Sequence, residues 1–288
     1  MPYVYLTISV FMNASSSVLG KLFNRKNASL RSSDILYNFI MILSVFMGWG
    51  LMYALDFSFE PSVLIYSLMF GISYSACNIG IIKALKYGPA ALTSLFISLS
   101  LILTTTWGLI FWDSEFSLSL IAGLVLVAIS IILCVYTKEK SEKAISLKWV
   151  FFVCLAVFGN SGCSIIQRTQ QVKYNGEHSS MLMLFAMCIA IFFSTLIFSK
   201  SDKSFAKTII KHSWWMPVCA GVFNLILNVF VMILATSDLS PSLIYPVLGI
   251  GALAVVTVFS LLVFKEKMYP RQWVGMAIGA LAILFLSI

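Results

Sequence analysis

Residues 89–96 read PAALTSLF and residues 241–248 read PSLIYPVL, two proline-led apolar octets 152 positions apart. The same offset carries FWDSE (111–115) onto VFKEK (263–267) and Gly123 onto Gly275 without a gap. Agreement therefore runs from a proline start, through a helix, to its charged end. Neighbouring offsets align the helices before it: 150 superposes Gly71 and Asn78 on Gly221 and Asn228, and 147 superposes FMNASSSVLGK (11–21) on FGNSGCSIIQR (158–168). The chain reads as an internal duplication, a feature any fold must accommodate first.

The duplicated material is membrane-like. Of 288 residues, 60% are hydrophobic and 10% charged, against about 25% charged in soluble domains. A span needs roughly 20 apolar residues, and ten stretches meet that length: about 3–22, 35–55, 62–82, 89–111, 117–136, 147–167, 180–198, 213–235, 241–264 and 270–288. The expected fold is an all-α integral membrane protein of ten transmembrane helices in two five-helix repeats, residues 1–137 and 147–288, joined by a cytoplasmic linker at 138–146.

The 11 acidic and 19 basic residues fall at stretch ends or in loops, as they must when a charge at mid-membrane costs about 2.5 kcal/mol or more. The net charge of +8 thus belongs to loops and does not point to nucleic acid. No basic n-region precedes the first stretch, so it reads as a helix and not as a signal peptide. All six cysteines lie inside apolar stretches without a C-x-x-C or a Cys/His cluster, which argues against a disulfide framework and a metal site. His178 and His212 sit at stretch ends and read as solvated surface. With no carboxylate, histidine or nucleophile with its base at depth, and no phosphate-binding loop, the expectation is neither an enzyme nor an ATP-driven pump, and no cofactor.

Five spans per repeat require the second copy to enter the membrane from the opposite side. Basic residues follow that rule. In the first half they occupy the first and third loops (Lys21, Arg25, Lys26, Arg31; Lys83, Lys86). In the second they move to its second and fourth (Lys200, Lys203, Lys207, Lys211; Lys265, Lys267, Arg271). With linker residues Lys138, Lys140, Lys143 and Lys148, 17 of 19 basic residues share one side. The positive-inside rule makes that side cytoplasmic and puts both termini outside.

Candidate solute-binding residues follow from helical spacing. Asn13, Ser16, Ser17 and Gly20 share a face at i, i+3, i+4 and i+7, and the second copy repeats it as Asn160, Cys163, Ser164 and Gln167. Tyr74 and Asn78 are matched by Asn224 and Asn228, and Tyr245 lies opposite Thr93 of the other copy. A buried amide is costly in hydrocarbon without partners, so these faces should turn into the bundle. Interhelical glue worth about 0.6 kcal/mol per bond is the plain alternative for any one of them. Among the aromatics, Trp112, Trp149, Trp214, Trp215 and Trp273 read as interface anchors. Trp49 and Trp107 are deeper, and Trp107 or Tyr245 could stack on an organic solute or a cation. Gly275 and Gly279 form a close-packing GxxxG that would also serve a homodimer.

The stretches ALKYGPAALTSLF and VFKEKMYPRQWVGMAIGALAI, with Glu266 at a charged helix end, resemble the drug/metabolite transporter superfamily, in particular its ten-helix, EamA-like members. PYVYLTISVFMNASSSVLGK and LIYPVLGIGALAVVTVFSLLVFKEKMYPRQWVG also resemble helices of the small multidrug resistance family. That resemblance implies that Asn13 stands where those exporters keep a proton-carrying glutamate, Tyr245 where a tyrosine packs on the drug, and Leu248 where they have a tryptophan. Two of the three positions depart. The implied function is secondary or facilitated transport of a small organic metabolite, amino-acid-like or otherwise neutral or zwitterionic, by alternating access. A choline-like or multidrug cation exporter and a flippase for lipid-linked substrates are the alternatives. The implied setting is a plasma membrane, the bacterial inner membrane, with solute and lipid as partners and a monomer or homodimer as the unit.

Overall fold

A computed structural model describes residues 1–27, 30, 33–87, 90–111, 118–135, 146–199, 206–264 and 269–287. Most of the linker at 138–146, the Gly88–Pro89 turn, Trp112, Glu266 and the basic residues Arg31, Lys138, Lys140, Lys143, Lys200, Lys203, Lys265 and Lys267 lie outside the described residues. Within them the chain is helical, without a strand: α1 (Pro2–Lys26), α2 (Ser33–Leu55), α3 (Val63–Tyr87), α4 (Ala90–Phe111), α5 (Leu118–Val135), α6 (Leu147–Lys173), α7 (Ser179–Ser199), α8 (Ala206–Ser213), α9 (Trp215–Ala235), α10 (Pro241–Phe264) and α11 (Pro270–Ser287).

The sequence dictates helices because nothing else keeps a backbone satisfied in hydrocarbon without neighbouring strands. Prolines start α1, α10 and α11, where a missing N–H costs nothing. Hydroxyls inside the apolar helices bond back to their own turn: Ser44 Oγ donates to the Ile40 carbonyl over 3.0 Å and Ser75 Oγ to that of Gly71 over 2.7 Å. Large apolar side chains such as Leu43, Met47 and Leu51 of α2 or Leu281 and Leu284 of α11 face outward, as lipid contact requires. Seven described helices are long and apolar enough to cross a membrane, and Leu118–Leu133 and Pro270–Phe285 are shorter apolar helices. The protein is an all-α membrane protein.

Each of the ten apolar stretches falls on a helix, and α8 is additional. Its eight residues, AKTIIKHS, fall in the second loop of the second half, where the sequence predicts no helix. Ile209 is buried with Phe23, Leu36 and Met216, while Lys207 and Lys211, four apart, stay exposed. Too short to announce itself by period, α8 is held by that cluster.

The helices pack as two compact units. One comprises Tyr3–Ser75 with Ile166–Thr236; the other comprises Ala76–Ile165 with Ser237–Ile288. In the first, α2 packs along α7 and α9; in the second, α5 packs along α11 and α4 along α10. Each unit draws helices from both halves of the sequence. That is a division of packing, separate from the division by sequence similarity.

Two glycines paired by the 150-residue offset do the same job in the first unit. A Cβ on Gly71 of α3 would lie 2.8 Å from the Ala186 carbonyl oxygen of α7, and one on Gly221 of α9 would lie 2.8 Å from the Met41 carbonyl oxygen of α2. Each brings the third helix of one half against the second helix of the other, backbone to backbone. In the second unit the GxxxG of α11 is used within the chain: Ser130 Oγ of α5 donates to the Gly275 carbonyl over 2.7 Å, and a Cβ on Gly279 would meet Ile250 of α10 at 2.9 Å.

Candidate functional site

In the second unit, α3, α4, α6 and α10 converge on Asn160. Its Nδ2 donates to Ser100 Oγ over 2.6 Å, and its Oδ1 accepts from the Cys77 thiol at 4.0 Å. One position on, Ser161 Oγ donates to the Ser100 carbonyl over 2.8 Å. Tyr245 reaches across from α10, its hydroxyl donating to the Ser164 carbonyl over 3.2 Å. Ser100, Cys77, Ser161 and Tyr245 are buried, while Asn160, Cys163, Ser164 and Asn78 are half-buried. The group is polar and uncharged.

Pro246 sits beside Tyr245, inside α10. Lacking an N–H, it cannot cap the Ser242 carbonyl one turn back. The helix is thereby short of one rung next to the tyrosine, the usual place for a spanning helix to offer backbone to a solute or to bend.

The first unit holds a second uncharged chain of amides. Gln167 Nε2 of α6 donates to Asn228 Oδ1 of α9 over 3.2 Å, and Asn228 Nδ2 donates to Asn224 Oδ1 over 3.1 Å and to the Asn224 carbonyl over 2.8 Å. Spacing by four on one face makes the Asn224 to Asn228 bond possible. Ser16 Oγ ties α1 to α9 through the Ala220 carbonyl at 3.3 Å, and Ser17 Oγ is spent on the Asn13 carbonyl at 3.0 Å. Asn13 itself is half-buried on the same face. Tyr74 is half-buried, its ring stacked on Phe70 with centroids 6.2 Å apart.

Thus the expected residues fall into two groups. Asn160, Ser164 and Tyr245 meet in one; Asn224 and Asn228 are bonded in the other, with Ser16 bound to the same helix as they are. Trp107 belongs to neither by any described bond: its ring lies 4.2 Å from that of Phe111 and is 40% exposed. Sequence reading passed over Ser100 and Cys77, and carried Gln167 only as the end of a stripe. Ser100 had no signal, being one serine among several in SLFISLSLILTTT.

Two side chains depart from expectation. Trp149 is no interface anchor: it is buried, its Nε1 donates to Thr93 Oγ1 over 2.9 Å, and its ring stands edge-on to Phe96. His178 is not freely solvated, since its Nδ1 lies 2.9 Å from Ser58 Oγ and its side chain is only 17% exposed. Arg168, just past the sixth apolar stretch, lies inside α6, which continues to Lys173. Trp214, Trp215 and Trp273 do face outward.

At the other end of the first unit, the α2–α3 and α6–α7 loops are laced together. Ser62 Oγ donates to Glu60 Oε1 over 2.6 Å and shares a 2.6 Å bond with the Tyr174 hydroxyl. Lys173 Nζ donates to the Tyr66 hydroxyl over 3.3 Å and lies over the Tyr66 and Tyr174 rings. The Ser62 hydroxyl, more than its backbone N–H or the neighbouring His178, holds the Glu60 carboxyl below the usual range.

Comparison with known proteins adds three findings. Residues 1–136 match the EamA-like transporter family. An uncharacterised protein of Haemophilus influenzae is 24% identical over 289 residues, covering 96% of this chain and 95% of its own. A solved crystal structure superposes with a TM-score of 0.72 at 14% identity, over 97% of this chain and 95% of its own, a likeness of fold.

Proposed function

We propose that the chain, whose residues 1–136 match the EamA-like transporter family, is a membrane transporter of small solutes rather than an enzyme, and that its solutes are neutral or zwitterionic organic metabolites of amino-acid size. They move by secondary or facilitated transport, in a bacterial inner membrane with the basic loops cytoplasmic. Ten spans in two inverted five-helix repeats exchange roles, so that polar residues of α1, α3, α6, α9 and α10 meet the solute from one side and then the other.

One observation supports this reading: the described bonds of Asn160 and Asn228 run to a hydroxyl, a thiol and other amides, with the half-buried Arg168, one turn beyond Ser164 on α6, a positive charge that further disfavours a cationic solute. An amide offers donors and acceptors together, which matches a solute that presents both and carries no net charge. Each protein–protein bond can be exchanged for a protein–solute bond at little net cost, since interhelical hydrogen bonds in membranes average about 0.6 kcal/mol. Such a site holds without trapping. A permanent cation, by contrast, would enter without a counter-charge, at the desolvation cost of an unpaired ion.

The test is counterflow in proteoliposomes with a panel of labelled zwitterionic amino acids, neutral sugars and quaternary amines. The reading expects exchange of zwitterionic or neutral solutes and its loss in Asn160→Ala and Asn228→Ala. Exchange confined to quaternary amines would overturn it.

A further inference from the structure

In the first unit, the end at which α1 meets α8 is apolar inside and basic outside. Phe23 of α1, Leu36 of α2, Ile209 of α8 and Met216 of α9 are buried together there. Around them stand Arg25 and Lys26 of α1 and Lys207 and Lys211 of α8, all exposed, with the half-buried Lys21 one turn further in and Asp34 the acidic residue described at that end. The opposite end of the same unit is mixed, since Lys173 is accompanied there by Asp56, Glu60 and Glu177. Among the described residues of this unit, the excess of positive charge therefore gathers at one end.

The lysines of α8 share a face. At 3.6 residues per turn, Lys207 and Lys211 each lie about 160° around the helix from the buried Ile209, so they are turned away from the core. Lys26 is fixed to the same turn as Lys211: its Nζ donates to the His212 carbonyl over 3.0 Å, which uses one ammonium hydrogen and leaves two for an anion. Beside these charges Ile210, Trp214 and Trp215 are exposed. Only Trp214, itself in right-handed helical geometry, stands between α8 and α9. Lys211 therefore lies about 5 Å beyond the tryptophan pair along the helix, and a headgroup layer is about 5–8 Å deep. Tryptophan favours the boundary between hydrocarbon and headgroups, which puts the lysines at the depth of lipid phosphates.

We infer that this end of the unit binds an anionic phospholipid: its phosphate is taken by Lys26 and Lys211, with Lys207 one turn away, and its acyl chains lie against Ile210 and Trp214. Lys21 and Arg25 add attraction at longer range. A zwitterionic lipid presents the same phosphate with its own ammonium beside it, so the net charge of the headgroup is what the lysines read. A soluble anion would gain nothing from the exposed isoleucine and tryptophans, whereas a lipid uses both halves of the surface. The site requires only that the protein lies in a bilayer, and it stands whether or not the proposed solutes are the ones carried.

The test titrates the purified full chain in detergent with dioleoylphosphatidylglycerol and, separately, with dioleoylphosphatidylcholine, and reads bound lipid by native mass spectrometry. The wild type should bind phosphatidylglycerol at least about tenfold more tightly, a preference that shrinks as ammonium acetate rises above about 0.1 M, where the screening length is about 10 Å. A lysine near the surface strengthens attraction to an anionic headgroup about fivefold. Lys26→Gln, Lys207→Gln and Lys211→Gln should each weaken phosphatidylglycerol binding by about that factor, and Lys207→Gln with Lys211→Gln should remove most of the preference while phosphatidylcholine binding stays unchanged. That double variant should unfold at the wild-type temperature in phosphatidylcholine, because both side chains are exposed. Lys207→Arg with Lys211→Arg, which keeps the charge, and Lys173→Gln, at the other end of the unit, should retain the preference. Equal affinity for the two lipids, a preference that survives in the double glutamine variant, or one lost in Lys173→Gln overturns the proposal. Displacement of phosphatidylglycerol by ammonium phosphate beyond that by acetate at equal ionic strength would assign a soluble anion and overturn it as well.

Discussion

The side-chain amide of Asn160 donates to the hydroxyl of Ser100 over 2.6 Å, joining α6 to α4 within one compact unit. The bond leaves the amide with a second donor hydrogen, and among the described residues its oxygen has the long, weak contact from Cys77. Asn160 is thus half engaged, held in orientation and able to bond a solute. Replacing Ser100 with alanine removes the positioning partner alone; replacing Asn160 removes the group proposed to touch solute. A double-mutant cycle on unfolding should give Asn160 and Ser100 a coupling of about 0.6 kcal/mol, and below about 1.7. Solute uptake should fall at least about tenfold in Asn160→Ala, equivalent to about 1.4 kcal/mol, and less in Ser100→Ala.

Gln167 and Asn228 should behave as a relay. Gln167→Leu leaves Asn228 Oδ1 without its donor at 3.2 Å while Asn224 still accepts from Asn228. Misdirecting one amide costs about 1 kcal/mol, so initial-rate uptake should show KM raised about fivefold with the maximal rate little changed. A fall in maximal rate with KM unchanged would place Gln167 in the conformational step instead.

Gly71 and Gly221 predict equivalent damage in different halves of the sequence. Gly71→Val and Gly221→Val each push a branched side chain into a facing carbonyl, and overpacking of this kind costs about 1–3 kcal/mol. Thermal unfolding should fall in both variants, and by similar amounts.

How far the sequence reached is visible in these residues. Apolar length located the helices, because hydrocarbon tolerates so few alternatives, and helical spacing placed Asn160 and Ser164, or Asn224 and Asn228, on common faces. It could not say that Asn160 would choose Ser100, since the partner of a buried amide depends on the register between two helices, which no one-dimensional pattern encodes. Trp149 shows the same limit: near a helix start it resembles an anchor, and only the packing of α4 against α6 reveals that Thr93 awaits its indole. Nor did the duplication disclose that each compact unit would mix helices of both halves.

Glu60 offers a pH-dependent reporter outside the membrane. Its pKa is lowered, chiefly by the Ser62 hydroxyl. Because the folded value lies below the unfolded one, the bonds from Ser62 favour the fold at pH above the ordinary carboxylate range, and that contribution fades as pH falls through the folded value. Exposure keeps the effect small. In Ser62→Ala the Glu60 titration, followed by carboxyl carbon resonance, should move up toward the ordinary value, while the transport rate at neutral pH should not change.

Most directly at issue is whether an uncharged amide group moves an uncharged solute. Counterflow of labelled zwitterionic amino acids into proteoliposomes, measured for the wild type, Asn160→Ala and Asn228→Ala at equal reconstituted amounts, decides it. The account predicts saturable exchange by the wild type and its loss in both variants. Undiminished exchange in both variants, or exchange of quaternary amines alone, would contradict it.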